Sequence, residues 1–242
     1  MIDFNELKER QGWPIEKKID HSLGVIDEFL SRTGGMAYVS FSGGKDSTVL
    51  LDLVRLFNRM CGDENATPAV FINTGNEYPD IVRFVRERIA EGYNIQIVKG
   101  KMSPRQVWEK YGFPLISKEN SKRIWYMKHQ PNSAMAQIAR GERFPTKKHF
   151  FDVPKRWWFL ADQDFDITNK CCDVLKKEPV KRYERETGRH PIIGTMASES
   201  SLRQLRYLQR GGVIRLIINE LIPCRFRFGP KKIYGSTSIC ET

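Results

Sequence analysis

Apolar residues alternate along the chain between short β-branched runs and longer stretches with helical spacing. Residues 36–41, 68–73 and 94–98 are short apolar runs. Between them, residues 47–60 and 79–90 carry apolar positions three and four apart, which is typical of amphipathic helices. Strands that alternate with helices of this length are typical of parallel sheets. The pattern therefore predicts an α/β fold with a doubly wound, mainly parallel sheet and helices on both faces.

The same pattern predicts further elements on either side of this region. They are a helix over 4–33 that covers the sheet, helices that begin after Ser103 and Ser117, a strand over 190–195 and a helix over 197–210. The mixed pattern over 129–165 predicts no element.

The turn between the first strand and its helix has the composition of an anion site. Residues 42–47 read Ser-Gly-Gly-Lys-Asp-Ser. The two glycines let the backbone approach a phosphate, and the unpaired N–H groups of the first helical turn point toward it. Ser42 and Ser47 add hydroxyl donors, and Lys45 adds a positive charge. The turn lacks the Gly-x-x-x-x-Gly-Lys-Ser/Thr spacing of a Walker A loop, which argues against a P-loop NTPase.

This turn resembles the pyrophosphate-binding loop of the adenine nucleotide alpha-hydrolase superfamily. Its members attack the α-phosphate of ATP or, in the phosphoadenosine phosphosulfate reductase branch, bind adenylated sulfate. The resemblance implies that the loop holds the phosphates, that Asp46 orients the loop or a Mg²⁺ ion, and that flanking residues frame the adenosine. The implied nucleotide-binding residues of this stretch are Ser40, Phe41, Ser42, Gly43, Gly44, Lys45, Asp46 and Ser47.

Two later stretches resemble the other motifs of the phosphoadenosine phosphosulfate reductase branch. Residues 73–79 read Asn-Thr-Gly-Asn-Glu-Tyr-Pro, with Asn73 where the family usually has aspartate. Residues 191–200 form an apolar run and a small-residue turn before Glu-Ser, and Arg203 and Arg206 follow. Either arginine could bind a phosphate or sulfate, or both could be surface residues. The implied nucleotide-binding residues of these stretches are Asn73, Thr74, Gly75, Glu77, Gly194 and Arg206; Lys45, Asp46 and Arg203 are the implied catalytic residues.

Cys171 and Cys172 resemble the adjacent pair that supplies two thiolates to a [4Fe–4S] cluster in iron–sulfur members of the branch. A later Cys-x-x-Cys supplies the other two there, and here Cys224 and Cys240 are too far apart to match it. The pair is therefore either a metal ligand in an incomplete cluster site or a structural feature.

The sequence after Gly212 departs from the family pattern. A two-nucleotide shift of the reading frame would allow codons for the Cys-Asn and Trp-Thr-x-x-Asp-Ile-Trp segments that the resemblance implies there. We therefore expect one nucleotide-binding domain over residues 1–212, with 1–35 as its helical cover, and an atypical tail over 213–242 that arose by a frame change. The coding DNA tests this hypothesis.

Composition limits the environment and the partners. The chain of 242 residues has a formal net charge of +11, which favours anionic partners. Basic and aromatic residues are interleaved over 118–158, which indicates either a nucleic-acid surface or a solvated face with aromatics turned into the core. Five scattered cysteines, no apolar run of membrane-spanning length and no basic-then-apolar leader predict a cytoplasmic protein without a membrane partner. The sequence leaves the oligomeric state open.

Three functions remain open from the sequence. The chain could reduce adenylated sulfate, although no nucleophilic cysteine can be placed on a mobile tail. It could be an ATP-dependent sulfurtransferase or adenylating enzyme that acts on nucleic acid, which the intact loop at 42–47 favours. It could also bind a nucleotide or nucleic acid without turnover. The first two predict ATP or adenylated sulfate as the ligand.

Overall fold

A computed structural model describes residues 4–143 and 152–195 and, beyond them, Arg203, Leu205 and Leu208. The strands are β1 (Ala37–Phe41), β2 (Ala69–Asn73), β3 (Ile95–Lys99) and β4 (His190–Ile192). The α-helices are α1 (Phe4–Gln11), α2 (Ile15–Arg32), α3 (Lys45–Met60), α4 (Pro79–Ala90), α5 (Pro104–Tyr111), α6 (Lys118–His129), α7 (Ala134–Ala139) and α8 (Glu178–Thr187). Lys155–Ala161 is a 3-10 helix, and Asp173–Lys177 is a π-helical turn that leads into α8.

The four strands form one parallel sheet in the order β3-β2-β1-β4. Val39 in β1 pairs with Ala69 on one side and with Ile192 on the other. The chain therefore moves outward from β1 to β3 and then returns to the opposite side of β1. Strand order reverses beside β1, which confirms the predicted doubly wound α/β fold. In such sheets, the crevice at the carboxyl ends of the strands beside the reversal, here β1 and β4, is where ligands bind.

Alternate residues of the strands bury the two faces of the sheet. Val39 and Phe71 face the main core, where α2, α3 and α4 cover the sheet. Tyr38 and Val70 face the opposite side and pack against Tyr183 of α8. This alternation follows from the two-residue period of a strand. Right-handed crossovers place α3 and α4 on one face, and the return to β4 brings α8 to the other.

Several predicted boundaries differ from the structure for local reasons. The helix predicted over 4–33 is two helices, because Gly12 to Pro14 interrupt it and proline lacks the N–H that a continuous helix needs. Helix α3 begins at Lys45, two residues before the prediction, so Lys45 and Asp46 belong to its first turn. The last strand ends at Ile192 and does not reach Thr195.

The stretch without a predicted element contributes to a second small core. Ile124 of α6, Val153 and Leu160 are buried there, and Trp157 and Trp158 pack against them. Its elements are short, which explains why the apolar pattern is uninformative. This core belongs to a helical insert, residues 113–167. A parallel bridge between Phe113 and Ile167 joins the two ends of the insert.

Some predictions fall on other parts of the chain. The helix predicted over 197–210 is represented by Arg203, Leu205 and Leu208, which are helical, and its other residues lie outside the described part of the chain. The tail over 213–242, with Cys224 and Cys240, also lies outside it. Among the described residues, no helix combines the length and apolar character needed to cross a membrane.

His21 makes the stability of the amino-terminal helices depend on pH. The side chain is buried on α2 against Trp13, and its ring nitrogens have no hydrogen-bond partner among the described residues. Burial and then the charge of Arg10 lower the pKa of His21 from 6.5 to about 4. The unfolded chain therefore binds this proton first as the pH falls. We expect the free energy of unfolding to fall by about 2 kcal/mol between about pH 7 and pH 4.5.

Urea unfolding of wild type and His21→Phe across that pH window measures this dependence. In the variant, the free energy of unfolding should no longer fall because of His21 protonation. It should keep the pH dependence that the carboxylates produce. Parallel pH profiles for the two proteins would contradict the assignment.

Candidate nucleotide-binding site

The loop after β1 is fixed by its own two serines. The buried Ser47 hydroxyl donates to the carbonyl oxygen of Gly44 at 2.9 Å and accepts from the amide of Ser42 at 3.2 Å. The two serine hydroxyls lie 3.0 Å apart, and the hydroxyl of Ser42 accepts a long bond of 3.4 Å from the amide of Gly44. Ser47 therefore holds the turn together from inside, while the exposed Ser42 lies at its surface.

The turn leaves backbone donors at the start of α3. Because α3 begins at Lys45, the amides of its first turn have no carbonyl acceptor within the helix. Gly44 and Lys45 are exposed there. Gly43 has a positive φ of 74°, and a Cβ on it would lie 2.8 Å from Cγ2 of Ile81 on α4. A glycine at this position thus lets the loop pack closely against α4.

The second motif forms a tight turn at the neighbouring strand end. The side-chain oxygen of Asn73 accepts from the amide of Gly75 at 2.9 Å, a bond that an aspartate would also make. The buried Thr74 hydroxyl donates to Glu77 at 2.8 Å and accepts from the amide of Asn76 at 3.2 Å. Replacement of the usual aspartate by Asn73 therefore preserves the turn but removes a negative charge from this edge.

The third motif lies beside the first loop. A Cβ on Gly194 would lie 3.0 Å from the carbonyl oxygen of Asp46, so the two backbones approach closely here and a larger residue would have to push them apart by a few tenths of an ångström. Gly194 follows β4, and Asp46 follows β1. The two loops therefore meet across the crevice where strand order reverses, which is where open α/β sheets bind ligands.

The strand residues proposed to frame the adenosine lie on opposite faces. The side chain of Phe41 is buried in the main core, with its ring centroid 6.4 Å from that of Phe84, so only its backbone is available to a ligand. Ser40 is half-buried and points to the face that α8 covers. Arg203 is helical and exposed, and Arg206 lies outside the described residues.

A model of the phosphoadenosine phosphosulfate reductase domain matches residues 36–211, which include the loop, the second motif and Gly194. The chain belongs to this domain family.

A curated relative supports the wider superfamily. A protein named probable FAD synthase from Caenorhabditis briggsae is 29% identical over 96 residues, which are 39% of this chain and 18% of the relative. The chain thus spans less than a fifth of that protein's length.

The cysteine pair lies near the carboxyl end of β3. Cys171 and Cys172 are free, half-buried thiols at the start of the helix that continues through the π-helical turn. A Cβ on Gly100, the residue after β3, would lie 3.7 Å from the carbonyl oxygen of Val174. Among the described residues, no group of three or more His, Cys, Asp or Glu side chains could hold a metal ion. Within the described part of the chain, this pair therefore supplies two of the four thiolates that a [4Fe–4S] cluster requires.

The basic aromatic region of this family member divides into two parts. Trp157 and Trp158 pack against the second core, and the indole N–H of Trp158 donates to the carbonyl oxygen of Val153 at 2.8 Å. Trp125 and Tyr126 instead line a recess between α5, α6 and residues 166–170. Sequence reasoning missed this recess, since its other lining residues on α5 and at 166–170 are brought to it only by the fold.

Proposed function

We propose that this chain is an adenine-nucleotide enzyme that binds ATP or adenylated sulfate at the loop over residues 42–47. The amides of Gly43 and Gly44 and the charge of Lys45 would hold the phosphates, and Asp46 would orient the loop or a Mg²⁺ ion. The meeting of Gly194 with the Asp46 carbonyl at the crevice is the observation that supports this assignment best. This contact supports a site shared by the two loops at the strand-order reversal.

The chemistry of such a site is charge stabilisation and positioning. Attack at a phosphate or sulfate group develops negative charge on oxygens, which backbone amides and a lysine can stabilise without reorganisation. The name of the family, phosphoadenosine phosphosulfate reductase, makes adenylated sulfate one candidate substrate. The named product of the relative, FAD, contains an adenine nucleotide, which favours chemistry at an adenylate more generally. The three candidate functions therefore share nucleotide binding. A reductase and a sulfurtransferase or adenylating enzyme differ in the reaction that follows, and a binding protein has no turnover.

Lys45→Ala tests the loop directly. A charge-assisted hydrogen bond contributes about 1.5–3 kcal/mol, so we expect a roughly tenfold to hundredfold loss of affinity for ATP or adenylated sulfate. Isothermal titration of wild type and variant measures this loss. Lys155→Ala, at an exposed lysine of the insert, is the matched control and should bind as wild type.

Product analysis distinguishes the reactions. Incubation with ATP should release pyrophosphate or AMP if the α-phosphate is attacked, and adenylated sulfate with a thiol reductant should release sulfite if the chain is a reductase. Nucleotide binding without any of these products would favour the non-catalytic function. Equal affinity of wild type and Lys45→Ala for both nucleotides would contradict the proposed site.

A further inference from the structure

The recess between α5, α6 and residues 166–170 is separate from the loop at 42–47. It has a volume of about 370 Å³, within the range of roughly 300–1,000 Å³ that is typical of small-molecule sites. Its lining combines three lysines with three aromatic rings. They are Lys110, Lys122, Lys170, Tyr111, Trp125 and Tyr126.

The recess is electropositive because its carboxylate, Asp166, is already paired. Asp166 Oδ1 lies 2.9 Å from Lys128 Nζ and 2.9 Å from His129 Nε2. The hydrogen bond from Lys128 and the one from His129 hold the pKa of Asp166 below its usual range. The charges of Lys122 and Lys170 therefore face the recess without being offset by this acid.

The aromatic rings form a supported platform. The centroid of the Trp125 ring lies 4.9 Å from that of the His129 ring, and the two ring planes are inclined by 32°. Trp125 also contacts Tyr126 edge-on, with 5.3 Å between the ring centroids. The Tyr111 ring carries the Lys110 and Lys170 ammonium groups 5.3 and 5.1 Å from its centroid. The Trp125 ring, held by His129 and Tyr126, is therefore preorganised for stacking, and the lysines over Tyr111 suit a phosphate.

The floor of the recess is anchored by backbone bonds. The amide of Phe113 donates to the carbonyl oxygen of Asp166 at 2.8 Å, and the amide of Thr168 donates to that of Phe113 at 3.1 Å. The buried Thr168 hydroxyl in turn accepts from the amide of Lys170 at 3.0 Å. These bonds hold Lys170 beside Tyr111, so the charged and aromatic groups are fixed relative to each other.

We propose that this recess binds one nucleotide unit, with its base stacked on the Trp125 ring and its phosphate held by Lys110, Lys122 and Lys170. The unit is either a free mononucleotide or one residue of a single strand, since both present the same base and phosphate. The recess has the volume, the positive charge and the supported ring that such a ligand needs. A simple anion would interact with the lysines but not with the ring, so a nucleotide unit is favoured over it.

Binding of thymidine monophosphate and of a short oligothymidylate to the full chain carrying Lys45→Ala tests this site. Lys45→Ala weakens binding at the loop over 42–47, and a thymine base does not match the adenine preference proposed for that loop. Binding of these probes therefore reports on the recess alone, and the proposed function is tested separately with ATP and adenylated sulfate. The test variant adds Lys110→Glu, Lys122→Glu and Lys170→Glu. The control adds Lys8→Glu, Lys17→Glu and Lys155→Glu, which change the net charge equally at exposed positions outside the recess.

We expect the test variant to lose roughly tenfold or more in affinity and the control to lose much less. Trp125→Leu should weaken thymidine monophosphate binding roughly fivefold or more and leave competition by inorganic phosphate unchanged. Tighter binding of the oligonucleotide than of the mononucleotide would identify a strand as the source, and equal binding a free nucleotide. Equal losses in the two charge variants, or no saturable binding of either probe, would overturn the proposal.

Discussion

Gly43→Ala is expected to weaken both the fold and nucleotide binding. Its φ of 74° is unfavourable for alanine, and the new methyl would lie 2.8 Å from Cγ2 of Ile81. The loop or α4 must shift to relieve this contact. We expect a loss of about 2–3 kcal/mol in the free energy of unfolding. Because the shift also moves the amides of the turn, nucleotide affinity should fall at least roughly tenfold.

Two matched glycines separate the causes. Gly35 has a φ of 75° with no atom within 4 Å of an added Cβ, so Gly35→Ala measures the conformational cost alone. Gly44 has a negative φ of −84°, and its added Cβ would lie 3.4 Å from the Ser42 hydroxyl. Gly44→Ala should therefore unfold almost as wild type does and yet obstruct an approaching phosphate. Urea unfolding and nucleotide titration of the three variants measure these effects; a Gly43→Ala protein as stable as Gly35→Ala would contradict the steric argument.

The fold could be predicted largely because its elements carry local signals. Adjacent residues in the sequence encode the apolar runs of β1 and β2 and the capping of α5 by Ser103. Helix α4 begins and ends where its pattern predicts. The parallel order then follows from the alternation of strands with helices, since crossovers are right-handed and strands pair within one sheet.

The candidate site could be predicted less completely because packing decides which side chains reach it. The sequence shows Ser47 as a hydroxyl donor for a ligand, whereas the structure uses that hydroxyl inside the turn. Phe41 belongs to the loop motif in sequence, yet strand alternation turns its ring into the core. Such outcomes depend on α4 and the neighbouring strands, which no local pattern encodes.

The recess cannot be predicted from local patterns for a related reason. Its lysines and rings come from α5, α6 and residues 166–170, which are far apart in sequence. The bridge between Phe113 and Ile167 and the contacts of Lys128 and His129 with Asp166 bring them together. The sequence shows only the interleaving of basic and aromatic residues, and the fold divides those residues between a core and a surface site.

Gly112→Ala is expected to be the most destabilising of these substitutions. Gly112 is buried with a φ of 95°, and an added Cβ would overlap the carbonyl group of Asp166. That neighbour is backbone, so no side-chain rotation relieves the contact. The same carbonyl accepts the amide of Phe113, and the bridge to Ile167 must therefore open or shift. We expect a loss of about 3–4 kcal/mol in the free energy of unfolding.

Gly62→Ala is the matched control for this substitution. Gly62 has nearly the same φ, 97°, but no atom lies within 4 Å of an added Cβ, so its cost should be only about 1–2 kcal/mol. Urea unfolding compares the two, and hydrogen exchange at the Thr168 amide, which donates to Phe113, reports the bridge itself. Faster exchange at Thr168 in Gly112→Ala alone would show that the bridge holds the recess floor. Equal stability of the two alanine variants would mean that the backbone at Asp166 moves away with no loss in the free energy of unfolding. The recess would then lack the rigidity that stacking on Trp125 requires.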